Sequence, residues 1–263
     1  MKTVLELAKG AKIAAGESGN LTTELKNNIL HKIAEQLLVR QAEIIAANNI
    51  DIANGEKNNM SAALIDRLRL TPARIEGMAV GARQVADLPD PIGEVLDTYT
   101  HQNGLIVKKI RVPIGVIGII FESRPNVTLD AAILCLKSGN ATVLRGGKEA
   151  INSNKKITEI MRDVVGSFGI NPDMVCLIED INRSSAVDLM NMRGIVDILI
   201  PRGGASLIQT VVENSKIPVI ETGVGNCHIF VDETADFDMA LKILINAKCS
   251  RPSVCNATET LLV

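Results

Sequence analysis

The chain has 263 residues, enough for one large domain or two modest ones. It is 46% hydrophobic but contains only four Phe, one Tyr and no Trp, so its core must be aliphatic, and this composition argues against an aromatic platform for base stacking. The 28 basic and 30 acidic residues give a formal net charge of −2 without a charged tail. We therefore expect neither a nucleic-acid partner nor a membrane surface.

The first ninety residues are predicted to be helical. Between residues 21 and 39, apolar side chains recur at helical spacing, namely Leu25, Ile29, Ile33 and Leu37. The pattern continues over residues 41–52, and Asn54-Gly55 predicts the end of that helix. Pro72 suits the start of a further helix that extends through Ala86.

A β-hairpin is predicted next. Residues 97–101 and 105–112 have strand-like composition, and Asn103-Gly104 between them favours a tight turn. A hairpin alone is marginally stable in water, so we expect this one, about residues 97–112, to pack on another element. A partner subunit in a homo-oligomer is the expected surface.

From Gly115 onward, short apolar strands alternate with helices. This alternation predicts an α/β fold with a doubly wound parallel sheet. The expected strands are 116–121, 141–144, 175–178, 196–200 and 218–220, and the expected helices are 128–137 (capped by Thr128), 153–165, 184–192 and 205–213. A second unit follows, with a strand at 227–231, a helix at 237–248 and a strand at 260–263. We assign 1–222 to the helices, hairpin and nucleotide-binding domain, and 223–263 to the start of an incomplete catalytic domain.

Glycines follow the predicted strand that ends at Ile200. Arg202, Gly203 and Gly204 lie at a strand-to-helix turn, where the backbone can approach a pyrophosphate. This is not a G-x-G-x-x-G motif, and a plain turn is an equal alternative. Arg145 and Lys148 follow another strand, where cations can meet ribose or phosphate or simply face solvent.

Further polar residues follow two more strands. Ser123, Arg124 and Asn126 can face a substrate, with Asn126 as an oxyanion donor and Arg124 as an anion-binding fork, or can form only a capping loop. Glu221 is either a general base or a structural hydrogen-bonding residue, and Gly223 permits close backbone approach.

Five cysteines are present, without a C-x-x-C pair: Cys135, Cys176, Cys227, Cys249 and Cys255. This pattern indicates reduced thiols in a cytoplasmic protein and no metal site. Cys255, next to Asn256 in a polar loop before an apolar run, is the candidate nucleophile, because nearby amides can stabilise an oxyanion. Cys249, at a helix end, is its main rival, whereas Cys135 and Cys176 are expected in the core.

Four segments together resemble the aldehyde dehydrogenase superfamily: residues 111–118, 121–126, 200–204 and 251–257. Within it, they are most similar to members that reduce L-glutamyl 5-phosphate in amino-acid (proline) biosynthesis. The resemblance implies a Rossmann-like cofactor domain, part of a second α/β catalytic domain and an oligomerisation hairpin. It also implies NADPH as cofactor, glutamate 5-kinase as a pathway partner and further chain beyond residue 263, so that the chain is truncated and its own activity is uncertain.

The resemblance also implies residue roles. Cys255 attacks the acyl phosphate, phosphate leaves, and hydride from NADPH reduces the resulting thioester to L-glutamate 5-semialdehyde. Ser123, Arg124, Arg251 and Asn256 are expected at the substrate, with Ser123 or Asn126 as oxyanion donor. Lys148 or Arg145 matches the ribose-contacting lysine, and Arg202, Gly203, Gly204, Glu221 and Gly223 are expected near the cofactor.

Glu221 occupies the position of the base in the oxidative members. Because water would destroy the thioester, a positioning role is expected for it here. Two alternatives remain open at this point. One is a generic NAD-dependent aldehyde dehydrogenase with Glu221 as base, and the other is a non-catalytic nucleotide-binding or assembly module.

Overall fold

The computed structural model describes residues 2–19, 21–223, 225–250, 252 and 254–263. The chain forms two compact units, residues 1–221 and 222–263. Within the described ranges, no helix is long and apolar enough to cross a membrane.

The first unit begins with helices, as predicted. Their bounds are α1 Val4–Ser18, α2 Thr23–Val39, α3 Gln41–Lys57, α4 Ala62–Leu68 and α5 Pro72–Asp87. Hydroxyl side chains cap several of the helix N-termini by accepting a backbone N–H in the first turn, namely those of Thr3, Thr22, Ser61 and Thr71.

The predicted helix end at Asn54-Gly55 is wrong, because α3 continues to Lys57. Gly55 is a packing residue rather than a terminator. A Cβ at Gly55 would lie 2.9 Å from Cδ1 of Ile65, so a larger residue here would have to displace the end of that side chain.

The predicted hairpin is present, with β1 Val95–Thr100 antiparallel to β2 Ile106–Ile110. The backbone N–H of His101 donates to the carbonyl of Leu105 at 2.8 Å, and Gly104 adopts a φ of 84°. Apolar residues of both strands, among them Tyr99 and Ile106, are about half exposed or more. Packing on a partner subunit stays a prediction.

A parallel α/β sheet follows, which confirms the predicted fold class. Its elements are β3 Val116–Phe121, α6 Pro125–Lys137, β4 Ala141–Arg145, α7 Ile151–Ser167, β5 Val175–Leu177, α8 Arg183–Met190, β6 Ile198–Arg202 and α9 Ala205–Asn214. The strand order is β5-β4-β3-β6, and every neighbouring pair is parallel. All six residues of β3 are buried. The predicted strand at 218–220 is reduced to a single parallel bridge between Leu199 and Val219.

Helix α6 differs from its prediction. It begins at Pro125, and Thr128 lies inside the helix rather than at its cap. Proline is pre-organised for the first helical position, which moves the start three residues upstream. The Thr128 hydroxyl is buried and donates to Oδ1 of Asn154 at 2.9 Å, so it joins α6 to α7.

A buried carboxylate organises the start of α7. Asp51 accepts the backbone N–H and side-chain amide of Asn152 at 3.1 and 2.7 Å. It also accepts the backbone N–H and hydroxyl of Ser153 at 2.8 and 2.6 Å. A side chain of α3 therefore satisfies donors in the first turn of α7, where negative charge is favoured.

An ion pair between Lys26 and Asp90 lies near the hairpin, with the two side chains only 3% and 9% exposed. Asp90 also accepts the Thr23 hydroxyl at 2.8 Å and the Ile92 N–H at 3.0 Å. Burial raises the pKa of Asp90, but the hydrogen bonds from Lys26, Ile92 and Thr23 have the larger opposite effect. The pKa of Asp90 therefore lies below its ordinary value.

The second unit is a parallel pair, β7 Cys227–Phe230 and β8 Thr258–Leu262, connected through α10 Phe237–Cys249. Asp236 caps α10 by accepting the Met239 N–H at 3.0 Å. None of the described residues of α10 is buried, and most of its large apolar side chains, including Phe237, are exposed, whereas Leu244 is half-buried.

Replacement of Asp51 with Asn should lower the free energy of unfolding by about 2–3 kcal/mol, because buried donors at the start of α7 lose a charged acceptor. Urea unfolding followed by circular dichroism measures this change. The control is Asp188→Asn, at an exposed position of α8, which should change stability by less than about 0.5 kcal/mol. Equal effects of the two substitutions would contradict the role given to Asp51.

Asp90→Asn should cost about 3 kcal/mol at pH 7, because it leaves the buried Lys26 without its anion. Since the pKa of Asp90 is lowered by folding, its contribution is complete above the unfolded-state value of about 3.9 and is lost as the pH falls through the lower folded value. The difference in unfolding free energy from wild type should therefore shrink below about pH 4. Urea titrations at several pH values, with Glu17→Gln as an exposed control, test this; a constant difference down to pH 3 would refute it.

Candidate functional site

The carboxyl ends of β3, β4 and β6 bring the predicted cofactor segments of the first unit together. Within this sheet, β3 is the first strand along the chain. The next two strands, β4 and β5, lie successively further out on one side of β3, and β6 then pairs with β3 on its other side. The strand order therefore reverses between β3 and β6. In open α/β sheets, ligands bind in the crevice at such a reversal.

A cavity of about 680 Å³ opens at this edge. Its apolar wall comes from α8 and α9, with Ala186, Val187, Met190, Leu207 and Val211. Its charged lining consists of Arg67, Arg124, Arg145, Arg183, Glu122 and Glu149. An apolar slot beside a charged rim suits a ligand with a flat base and anionic groups.

The predicted glycine turn is held by Glu122. The Gly204 N–H donates to Oε1 of Glu122 at 3.0 Å, and the Glu122 N–H donates to the carbonyl of Arg202 at 3.2 Å. A Cβ at Gly203 would lie 2.7 Å from Cδ of Glu122, so the turn passes very close to this carboxylate. Gly204 is also the N-cap of α9, where the helix dipole favours an anionic group. The Arg202 side chain is exposed.

Arg145 is the last residue of β4 and reaches toward the start of α8. Its Nη1 donates to the carbonyl of Gly146 at 2.9 Å, and its Nη2 donates to the carbonyls of Ile181 and Asn182, both at 3.1 Å. Burial lowers the pKa of Arg145, and Glu149 and Asp180 offset part of this effect. Its Nε is buried and, among the described residues, has no hydrogen-bond partner. Lys148 is exposed in the following 3-10 turn, Lys148–Ala150.

Ser123 and Glu149 join the β3 and β4 edges of the cavity. The Ser123 hydroxyl donates to Oε2 of Glu149 at 2.9 Å. A Cβ at Gly147 would lie 2.8 Å from the same oxygen and 3.1 Å from the Ser123 nitrogen. The backbone of this loop therefore lies directly against the segment that follows β3.

The two other predicted residues after β3 lie at the start of α6. Arg124 is its N-cap and lines the cavity, half-buried. Nδ2 of Asn126 donates to Oδ2 of Asp130 at 2.9 Å, one turn further along the helix. An amide nitrogen carries two hydrogens, so Asn126 keeps one donor for another partner. Its oxyanion role stays a prediction.

The candidate nucleophile lies in the second unit. Cys255 is exposed, and the Cys227 thiol donates to its backbone carbonyl at 3.4 Å. A Cβ at Gly225 would lie 3.2 Å from this carbonyl oxygen, so the strand start and the Cys255 loop are in close contact. Asn256 is exposed, whereas Arg251 lies outside the described residues.

The other cysteines divide as the sequence predicts. Cys135 and Cys176 are buried, and burial raises their pKa values to about 12 and about 11, so neither thiol readily forms a thiolate. Cys249 is exposed at the end of α10. Because both thiols are exposed, exposure does not show whether Cys249 or Cys255 is the nucleophile, and the choice of Cys255 depends on the loop around it.

Glu221 and Gly223 lie on either side of the division between the units. Glu221 is exposed at the end of the first unit, and Gly223 is exposed in the second. A Cβ at Gly223 would meet no described atom within 4 Å. The catalytic and cofactor-binding roles of these two residues stay predictions.

Several residues of the cavity were not singled out from the sequence. These residues are Arg67, Arg183 and Glu149, together with the apolar side chains of α8 and α9 that form the slot. The sequence does indicate that Arg183 is unusual, because a cation in the first turn of a helix interacts unfavourably with the helix dipole. Arg67 lies on α4, far from the strand ends in sequence, and only the fold brings it to the cavity.

The aldehyde dehydrogenase family model matches residues 2–263, and the chain belongs to the aldehyde dehydrogenase family. Among its relatives, the gamma-glutamyl phosphate reductases of Carboxydothermus hydrogenoformans and Anoxybacillus flavithermus are 55% and 51% identical to it. These alignments cover 100% of the chain but only 63% and 64% of the relatives.

Solved structures agree with this relationship. The crystal structure of gamma-glutamyl phosphate reductase from Thermotoga maritima matches with a TM-score of 0.90 and 46% identity, over 99% of this chain and 63% of that one. The Saccharomyces cerevisiae enzyme of the same name matches with a TM-score of 0.78 and 34% identity, over 99% and 65%. A probable aldehyde dehydrogenase from Listeria monocytogenes shares the fold, with a TM-score of 0.74 at 15% identity.

Gly146→Ala should lower the free energy of unfolding by about 1–3 kcal/mol, because overpacking a rigid site forces its neighbours to move. The added Cβ would lie 2.9 Å from Cζ of Phe121 and would also overlap the amide of Asn154, and both residues are buried. The matched control is Gly81→Ala in α5, where no described atom lies within 4 Å and alanine should be neutral or stabilise by up to about 1 kcal/mol. Thermal unfolding of both variants tests this, and equal stabilities would contradict tight packing at Gly146.

Proposed function

We propose that this chain carries the cofactor-binding domain and the catalytic cysteine of an NADPH-dependent reductase. The reaction converts L-glutamyl 5-phosphate to L-glutamate 5-semialdehyde and phosphate in proline biosynthesis. The observation that carries this proposal is that relatives named gamma-glutamyl phosphate reductase align with every residue of the chain, the Cys255 loop included.

The residues at the cavity fit a nicotinamide dinucleotide. The apolar side chains of α8 and α9 offer a slot for the adenine ring. Arg145 lines the cavity and offers a guanidinium to a ribose hydroxyl or phosphate, and exposed Lys148 is a second cation three residues further along the chain. Gly203 and Gly204 place backbone N–H groups near the start of α9. A pyrophosphate could accept from the Gly204 N–H if it displaced the carboxylate of Glu122. When bound, NADPH would supply the hydride for the reduction.

Cys255 carries the covalent step in this proposal. Its thiolate attacks the acyl carbon of L-glutamyl 5-phosphate, the carbon–sulfur bond forms, and the carbon–oxygen bond to phosphate breaks. The resulting thioester is reduced at the same carbon to a thiohemiacetal. That species then collapses to the aldehyde and returns the thiolate, which is both a good nucleophile and a good leaving group.

Polar residues on the two units are assigned to the substrate. Ser123 or Asn126 stabilises the oxyanion, helped by backbone N–H groups near Cys255. Arg124, Arg251 and Asn256 bind the carboxylate or the phosphate of the substrate. Arg124 is supported by its place in the cavity lining, and Asn256 by its exposure beside the nucleophile.

Glu221 is assigned a positioning role rather than that of a base. A base that activated water would hydrolyse the thioester before reduction, which would waste the activated substrate. Glu221 and Gly223 are both exposed, which leaves them accessible to a cofactor or substrate.

The remaining assignments concern organisation. The first unit is the nucleotide-binding domain, and the second is part of the catalytic domain. The exposed apolar side chains of the hairpin support its role in a homo-oligomer. All five cysteines are free, which supports a cytoplasmic enzyme, and glutamate 5-kinase would supply its labile substrate.

Cys255→Ala should abolish turnover, by roughly a thousand-fold or more, because loss of a nucleophile removes the covalent path. The assay runs in reverse: L-glutamate 5-semialdehyde, NADP⁺ and phosphate are mixed with the protein, and the absorbance of NADPH is followed. Cys249→Ala is the matched control and should retain the wild-type rate.

Turnover that requires phosphate and is lost in Cys255→Ala would support the reductase. Phosphate-independent turnover would instead favour an oxidative dehydrogenase with Glu221 as base. Turnover that persists in Cys255→Ala would contradict the assignment of the nucleophile. Alkylation by iodoacetamide, mapped by mass spectrometry, gives a readout independent of turnover: Cys255 should react faster than Cys249.

A further inference from the structure

We propose that Arg183, together with Arg145 and the first turn of α8, binds the 2′-phosphate of NADPH and thereby selects NADPH over NADH. This inference rests on the proposed function, because it concerns the same cofactor cavity. It adds a phosphate subsite and names the residue that decides cofactor specificity.

The position of Arg183 is electrostatically unfavourable without an anion. Arg183 is the first residue of α8, and the N-cap residue Asn182 forms no side-chain cap there. The amide of Asn182 instead donates to Asp180 at 2.7 Å. The N-terminus of a helix carries partial positive charge and repels a cation. Arg183 is exposed and forms no hydrogen bond or ion pair with the part of the chain that the structure describes.

A second guanidinium lies next to this helix start. Nη2 of Arg145 donates to the carbonyls of Ile181 and Asn182, the two residues that precede Arg183. Both arginines line the cavity, and Nε of Arg145 is buried without a partner among the described residues. Two guanidinium groups and a helix N-terminus therefore converge on one side of the cavity. Planar guanidinium groups bind phosphate through paired hydrogen bonds.

The nearby carboxylates already have donors. Glu149 accepts the Ser123 hydroxyl at 2.9 Å, Glu122 accepts the Gly204 N–H at 3.0 Å, and Asp180 accepts the Asn182 backbone N–H at 3.0 Å. Sites that select NAD use a carboxylate to bind the ribose 2′-hydroxyl, whereas an arginine accommodates a 2′-phosphate. Among the described residues, the donors here that lack an internal partner are Arg183 and Nε of Arg145, and both are cationic, which favours the phosphate.

The spacing along α8 fits an adenosine 2′-phosphate. Arg183 and Val187 both line the cavity and are four residues apart, so they lie on one face of the helix about 6 Å apart along its axis. Val187 and Leu207 belong to the apolar slot between α8 and α9. An adenine ring in that slot would place its ribose, and the attached phosphate, toward the start of α8.

The test compares cofactors that differ only in the 2′-phosphate. Dissociation constants of NADPH, NADH, 2′,5′-ADP and 5′-AMP are measured by isothermal titration calorimetry on the full chain. Arg183→Gln should weaken binding of NADPH and 2′,5′-ADP by about ten-fold or more, with less than about two-fold change for NADH and 5′-AMP. Arg183→Lys, which keeps the charge, should restore part of the preference.

Arg193→Gln is the matched control, because Arg193 is exposed and does not line the cavity. It should leave all four constants unchanged, and thermal unfolding should show that each variant folds as the wild type does. Equal losses for the phosphorylated and unphosphorylated ligands in Arg183→Gln, or no loss at all, would overturn the inference while leaving the proposed function in place. A wild-type chain that binds none of the four nucleotides would instead contradict the proposed function, and the inference with it.

Discussion

The pairing of β3 on both edges is the constraint on which the rest of the first unit depends. β3 forms parallel ladders with β4 and β6, and helices cover the sheet, so all six of its residues are buried. Polar side chains are excluded from such a strand, because each would need a hydrogen-bond partner inside the core. Glu122 is the first position at which a charged group can meet solvent, so the chemistry of the site begins where the strand ends.

The loop after β4 depends on a second layer of buried polar contacts. Asp51 holds the start of α7 from α3, and Asn48 of the same helix donates to the Ser153 hydroxyl at 3.0 Å. Gly146 lies against Phe121 and Asn154, and Gly147 lies against Glu149. The N-terminal helices therefore do more than cover the sheet: they fix the start of the helix that follows the β4 loop. Asp51 and Asn48 are far from the cavity in sequence, yet they set the geometry of its rim.

Much of this architecture could be predicted from local patterns, because each buried strand is a short apolar run. The bounds of β3 follow from such a run, and Asn103-Gly104 predicts the hairpin turn. The sequence pattern failed where tertiary contacts decide. The local pattern predicts a helix end at Gly55, which instead provides space for Ile65, and a cap at Thr128, which instead donates to Asn154. Arg183 was missed because its significance depends on Arg145, which only the parallel sheet brings to the start of α8.

The two units carry different parts of the proposed reaction, and this has a chemical consequence. The cavity and its charged rim lie wholly within residues 1–221, whereas Cys255 and its contacts with Cys227 and Gly225 lie within 222–263. In the proposed reaction, cofactor selection is thus assigned to backbone and arginine geometry in a packed parallel sheet. The nucleophile is assigned in the same proposal to a solvent-exposed loop beside a two-stranded ladder. The two sets share no described residue, so the residues proposed for cofactor selection and the proposed nucleophile can be substituted separately.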